Sequence, residues 1–270
     1  MSRFGFVSGT YQSQSPVAAA DLCMNWYPEQ VESGTGNAPI VLYPTPGLEQ
    51  FADLTPVVPP VEFAVIQAKP GNIQIGIVPN APFTVSSTGI LAVGFTDISG
   101  ASMVTFTDSD GNIWTLVDSD IQDGAFNVFL FVCDSLLAGS PTIQSTPSGT
   151  FFTNALSIVV ECSGLITGPL DKLALGRGTN ETTLDSGNTS ATTQASEAIF
   201  GFGWTHRTEA TTPITPDPAW TDLNGIGEGN TIIRGQYKTV SMIGAQDAQM
   251  TTNGSEDLWA MLCATFKVGP

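Results

Sequence analysis

From residue 61 onward the apolar positions follow two patterns, and both are strand patterns. Some segments alternate or nearly so, as in VEFAVIQ (61–67), NIQIGIV (72–78) and GILAVGF (89–95), each bounded by glycine, proline or asparagine. Others run apolar with little interruption: FNVFLFVC (126–133), ALSIVVEC (155–162) and AIFGFGW (198–204). Alternation turns one strand face to a core and the other to water, whereas a short unbroken run predicts a strand buried more completely. In DLWAMLCATFKV (257–268), Leu258, Ala260, Leu262, Ala264 and Phe266 fall on one strand face. SMVTFT (102–107) and NIWTLV (112–117) flank Asp108-Ser109-Asp110-Gly111, a composition that predicts a hairpin turn. Residues 60–270 therefore predict an all-β domain, a β-sandwich of jelly-roll type. Two stretches break the rhythm and read as long loops: the polar segment 176–196, and 208–229 with Pro213, Pro216 and Pro218.

Residues 1–59 lack both periods. They are rich in Gly, Pro, Ser and Tyr and end in TPVVPP, Thr55 to Pro60, which predicts a stiff extended linker. A short helical turn is expected over Val17–Asn25, following Pro16. The segment cannot enclose a core, so it is expected to be an extended arm that needs a partner surface.

Composition narrows the function. Only 12% of residues are charged and 41% are hydrophobic, which excludes a disordered chain. Eight basic residues stand against 25 acidic ones, a net charge of −17. Such a surface repels phosphate backbones and anionic membranes, so direct nucleic-acid binding is not expected. The N-terminus lacks the basic-then-apolar order of a secretory signal, and runs such as 126–133 are too short to span a bilayer, so no membrane insertion is expected. Synthesis and folding in a cytosol are therefore expected. Cys23, Cys133, Cys162 and Cys263 are isolated, three of them in apolar runs, and are expected to be free thiols.

Candidate chemistry is sparse. Asp108-Ser109-Asp110-Gly111-Asn112 starts like a calcium loop, but Ile113 and Ser119 stand where that motif needs glycine and glutamate. Asp118, Asp120 and Asp123 offer at most a looser oxygen site. One histidine and four scattered cysteines leave little for zinc, so no metal site is expected. No G-x-S-x-G elbow and no phosphate-binding lysine loop occur, and His206 reads as a surface-loop histidine. A pair of carboxylates is the one hydrolytic chemistry the composition leaves open. The expectation is no enzyme, no catalytic residue and no cofactor. Trp114, Trp204 and Trp259 sit in apolar runs, whereas Trp220, in PDPAWTDLN, is expected to be exposed and is the candidate glycan platform.

The arm carries the most specific pattern. Phe6-Val7-Ser8-Gly9-Thr10-Tyr11, Asn25-Trp26-Tyr27-Pro28-Glu29, Glu32-Ser33-Gly34 and Leu42-Tyr43-Pro44-Thr45-Pro46-Gly47-Leu48 resemble the N-terminal segment of short-tailed phage tail proteins of the nozzle, or packaged-DNA-stabilisation, type. In that family the segment lays an extended strand into a ring of subunits and leads into a much longer propeller-like body, for which this chain has no room. Residues 100–204 resemble more loosely a β-sandwich module of phage and bacterial surface proteins, through TDSDGNIWT, VVECSGL with its following PLD, and the Thr/Ser-rich stretch before AIFGFGW. The resemblance implies a virion structural protein, made in the bacterial cytoplasm and oligomeric in the particle. Its expected partners are tail nozzle, adaptor or fibre subunits. Tyr11, Asn25, Trp26, Tyr27, Pro28, Tyr43, Pro44, Pro46 and Gly47 would contact them, with the aromatics as anchors and Asn25 and Pro28 setting a turn. A carbohydrate-binding host-recognition protein using Trp220, and a capsid decoration protein, are the alternatives.

Overall fold

The unbroken apolar runs are the innermost strands of a four-layered all-β sandwich. The computed structural model describes residues 26–30, 40–44, 62–73, 78–79, 90–98, 103–122, 126–137, 139–140, 143–148, 155–206, 213–256 and 258–269. The chain divides into two compact units, Met1–Pro59 and Pro60–Pro270. In the first, β1 (Trp26–Gln30) pairs antiparallel with β2 (Ile40–Pro44).

The second unit repeats one topology twice. Its first half holds β3 (Ala64–Ile73), β4 (Val78–Pro79), β5 (Ile90–Ile98), β6 (Met103–Asp108), β7 (Thr115–Gln122), β8 (Phe126–Leu136), β9 (Ile143–Ser148) and β10 (Ala155–Ser163). Its second half holds β11 (Leu165–Gly178), β12 (Glu181–Asp185), β13 (Ser196–His206), β14 (Ile214–Pro216), β15 (Thr221–Glu228), β16 (Thr231–Ser241), β17 (Gln249–Glu256) and β18 (Leu258–Val268). The five-stranded sheets run β3-β10-β5-β8-β7 and β11-β18-β13-β16-β15, and the three-stranded sheets run β4-β9-β6 and β12-β17-β14. In each half the first, eighth, third, sixth and fifth strands form one sheet and the second, seventh and fourth the other. That is the strand order of an eight-stranded jelly roll with one change: the fifth strand, which a jelly roll sets beside the fourth, here pairs with the sixth. The sandwich expected over residues 60–270 is thus two jelly rolls in tandem.

The halves correspond residue by residue at their corners. Thr115 opens β7 opposite Val132, which faces Val93; Thr221 opens β15 opposite Tyr237, which faces Phe200. A tryptophan precedes each threonine, Trp114 and Trp220.

The two five-stranded sheets share one core. Val128, Leu130 and Val132 of β8 and Leu156, Ile158, Val160 and Cys162 of β10 join Ala198, Phe200, Phe202 and Trp204 of β13 and Ala260, Leu262, Ala264 and Phe266 of β18. The alternate residues point the other way, into each jelly roll. Phe131 stacks on Phe106 of β6 at 4.5 Å between ring centroids, and Ile199, Met261 and Cys263 join Leu184, Ile214 and Met250. Strands buried on both faces carry apolar residues at successive positions, which is why their sequences do not alternate. Phe200 is the hub of the shared core, edge-on to Phe266 at 5.6 Å and to Phe63 at 6.2 Å.

Gly164 joins the halves with φ +81°, and a Cβ there would lie 2.7 Å from the Phe63 Cα. Only glycine fits both the left-handed turn and the close approach.

Several sequence expectations change. Asp108-Ser109-Asp110-Gly111 does form a turn, but it links two sheets, because β6 pairs with β9 and β7 with β8. Lys69-Pro70-Gly71 does not break its strand; β3 runs through Pro70 at a sheet edge, where the missing N–H is tolerated. The polar stretch 176–196 is ordered. Ser186, Thr189 and Thr192 each donate their backbone N–H to Ala248, Gln246 and Gly244 carbonyls and accept those residues' N–H groups on their hydroxyls, at 2.8–3.2 Å. The loop expected over 208–229 contains β14 and β15. The helical turn expected at 17–25 lies outside the described residues.

Candidate functional site

Of the residues behind the nozzle-type resemblance, Trp26-Tyr27-Pro28-Glu29 and Leu42-Tyr43-Pro44 fall on the ribbon. Trp26 lies opposite Pro44, Tyr27 opposite Tyr43, Pro28 opposite Leu42 and Glu29 opposite Val41. The motif W-Y-P-E and the motif L-Y-P are therefore strand partners. Pro28, expected to set a turn, stands inside β1; both strands of a two-stranded ribbon are edges, so a proline there need not remove a ladder bond. Tyr11, Asn25, Pro46 and Gly47 lie outside the described residues. A two-stranded ribbon is at best marginally stable in water and gains stability from a third strand or a packed face.

Trp220 occupies the corner between β14 and β15. Asp217 shapes that corner: its Oδ1 accepts the Ala219 N–H at 2.8 Å and its carbonyl accepts the Trp220 N–H at 2.9 Å. The indole is half-buried against the interior of the second jelly roll, and the Lys238 ammonium lies 4.3 Å from its ring centroid. A sugar stacks on an open aromatic face, and here the Lys238 ammonium lies over one face of the ring. Trp204 and Trp259 are buried, as their apolar runs predict.

The matching corner of the first jelly roll is built on Asp108. Its Oδ1 accepts the Asp110 and Asn112 N–H groups at 2.9 and 3.1 Å, and its Oδ2 accepts the Trp114 indole N–H at 2.9 Å. Asn112 Oδ1 takes the Leu137 N–H at 2.7 Å. Those residues, which open like a calcium loop, act as turn acceptors. Among the described residues no three His, Cys, Asp or Glu side chains converge on a point that would hold a metal.

The most perturbed carboxyls lie on β11 and β13. Burial raises the Asp171 pKa, but hydrogen bonds from the Thr193 N–H and hydroxyl and from Lys172 outweigh it and hold the carboxyl well below the usual range. Burial, and then the Asp171 carboxylate, push Glu197 up to about 7. Glu197 lines an open cleft of about 470 Å³ with Glu62, Phe63, Thr239 and Val268. His206 ends β13 opposite Thr231 and Leu258 rather than standing in a loop. Cys133, Cys162 and Cys263 are buried free thiols, and burial drives Cys263 up to about 12. Cys23 is outside the described residues.

What the sequence did not flag is a pair of exposed aliphatics at the Asp108 corner. Ile113 is 80% exposed and Leu137 54% exposed. The run NIWTLV places Ile113 in a strand, but β7 begins two residues later. Comparison of the chain with protein-family models, with curated proteins and with solved structures finds no match.

Proposed function

We propose that the protein is a non-enzymatic structural component of a short-tailed phage virion, attached through residues 1–59 to the tail assembly as an adaptor, nozzle-associated or fibre-anchoring subunit. The observation that carries this reading is the pairing of the two resembling motifs, W-Y-P-E against L-Y-P, in a ribbon that has no third strand among the described residues. Strands in that position gain stability when a partner supplies a further strand or an apolar face. Tyr27 and Tyr43, opposite each other, are the kind of residue that dominates interfaces. The jelly roll supports the reading at the level of fold analogy, because virion proteins use it widely.

The test is an antibody against residues 60–270, located on phage particles by electron microscopy. Label at the tail vertex, lost when residues 1–59 are deleted, is the expected result. Label over the whole head would make the protein a capsid decoration, and no label on any particle would overturn the virion reading.

A further inference from the structure

A jelly roll sets its fifth strand beside its fourth, and here neither half does so. β7 pairs with β8 and β15 with β16, which leaves the outer sides of β6 and β14 without a paired strand among the described residues. In the second half that place is closed, because β14 has three residues and ends in Pro216. In the first half it is open. β6 runs from Met103 to Asp108 in unbroken register with β9, with no proline and no charge before Asp108. The opposite edges of the three-stranded sheets are guarded: β4 is two residues long with Pro79, and β12 starts at Glu181, ends at Asp185 and shifts register between them. A regular edge without charge is a template for strand addition.

Two prolines of this sheet show which β6 groups face outward. Pro79 has no N–H, so its pair with Gln144 is of the non-bonded kind, and Gln144 turns its N–H and C=O toward Thr107 of β6. Pro147, opposite Val104, has no N–H either and sets the same phase. Thr105 and Thr107 therefore bond to β9, while Val104 and Phe106 turn their N–H and C=O groups to the open side. We propose that this edge pairs with the same edge of a second copy of the chain, antiparallel about a two-fold axis at Thr105. Each Thr105 then faces its own copy in a non-bonded pair, and Val104 of each chain faces Phe106 of the other in a bonded one, so the outward groups of both residues are used. Thr105 is exposed, and threonine opposite threonine is a favourable cross-strand pair. Charge selects the same partner. In a chain of net charge −17 most contacts between copies bring acids together, but Asp108, the one acid of β6, lies three residues from the axis. The two Asp108 positions are about 20 Å apart, roughly two Debye lengths at physiological salt. A strand that is its own complement in register, bonding phase and charge fits a second copy. Such a contact is isologous and closes at two. It uses only residues 60–270 and is independent of what the arm does.

The test is sedimentation velocity on the full chain, at concentrations on the order of 0.1–1 mM because one short strand makes a small contact. Thr105→Lys and Thr105→Asp each set like charges against each other on the axis. Either variant alone is expected to sediment at half the wild-type mass, with an unchanged circular dichroism spectrum. Mixed in equal amounts, the two variants set opposite charges on the axis and should restore the wild-type mass as a 1:1 pair, one that weakens as salt is raised. Hydrogen exchange reads the same contact at single residues. The Val104 and Phe106 amides should be protected in the wild type and exchange freely in Thr105→Lys, while the Thr105 position, bonded to β9, stays protected in both. A wild type that sediments as the single variants do, no pairing on mixing, or Val104 and Phe106 amides that exchange alike in wild type and variant would each overturn the proposal.

Discussion

Glu197 and Asp171 are adjacent carboxyls pushed in opposite directions, and their titrations bracket a window of stability. A carboxyl whose pKa rises on folding holds its proton more tightly in the native chain. Glu197 therefore contributes stability below its ordinary value of 4.5, and that contribution is lost as pH rises through about 7. Asp171 has the opposite sign. Its contribution is present above its ordinary value of 3.8 and is lost as pH falls toward its depressed native value. Glu197→Gln removes the alkaline penalty while keeping the side-chain volume. We expect it to leave the urea midpoint nearly unchanged at pH 5 and to raise stability by on the order of 1 kcal/mol at pH 8.5. An effect of equal size at both pH values would show that Glu197 does not titrate in this range. Neither residue was singled out by sequence, because a shared burial site between β11 and β13 is a product of tertiary packing. The arm residues were legible as a motif, and their partnership as strands was not.

At the scale of elements, the chain announces where strands lie but not with whom they pair. Period two fixes which face of a strand is apolar. It is silent on whether the next strand lies beside it or across the core. Asp108-Ser109-Asp110-Gly111 illustrates this, since an Asx turn serves a hairpin and a sheet-to-sheet corner equally well. The segment 186–192 illustrates a different gap. Its buried residues recur every third position, Ser186, Thr189 and Thr192, a spacing that belongs to neither helix nor strand and that composition reads as loop. Each of the three makes two hydrogen bonds to the same partner residue, so the hydroxyl does the work of a carbonyl in a ladder. Thr189→Val should cost about 1–2 kcal/mol and speed hydrogen exchange at the Gln246 amide, while Thr189→Ser should restore both. If valine is as stable as threonine, the hydroxyl does not hold the segment. The sheet edges show a further regularity: β3 carries Lys69 and Pro70, β7 carries Asp118 and Asp120 with a register shift, β11 contains Pro169 and two register shifts, and β15 has a shift with Asp222. Charges, prolines and bulges at edges oppose strand addition between copies.

The whole second unit is expected to unfold as one cooperative body, because the two five-stranded sheets share one core. A single substitution in the shared layer should therefore weaken both halves. Phe200→Ala is expected to cost about 3–5 kcal/mol and to lower hydrogen-exchange protection in β10 and β13 together, with one thermal transition retained. Two separate transitions, or protection lost from the second half alone, would mean that each jelly roll stands by itself. The all-β class was legible from the sequence. The duplication was not, because the halves share only scattered signs such as Trp114-Thr115 and Trp220-Thr221, and a repeat kept by topology rather than by residues has no period to detect.

The junction at Gly164 has a mechanical consequence. Its backbone lies against Glu62 and Phe63, where the sandwich begins, and its carbonyl accepts the Gly269 N–H at 2.7 Å, where the sandwich ends. Start, midpoint and end of the unit thus meet at one node. A pull applied between residue 62 and residue 269 loads that node across a short span, and the line of tension bypasses the layered core. The sheets would stay unstretched under such a load until the node itself gave way.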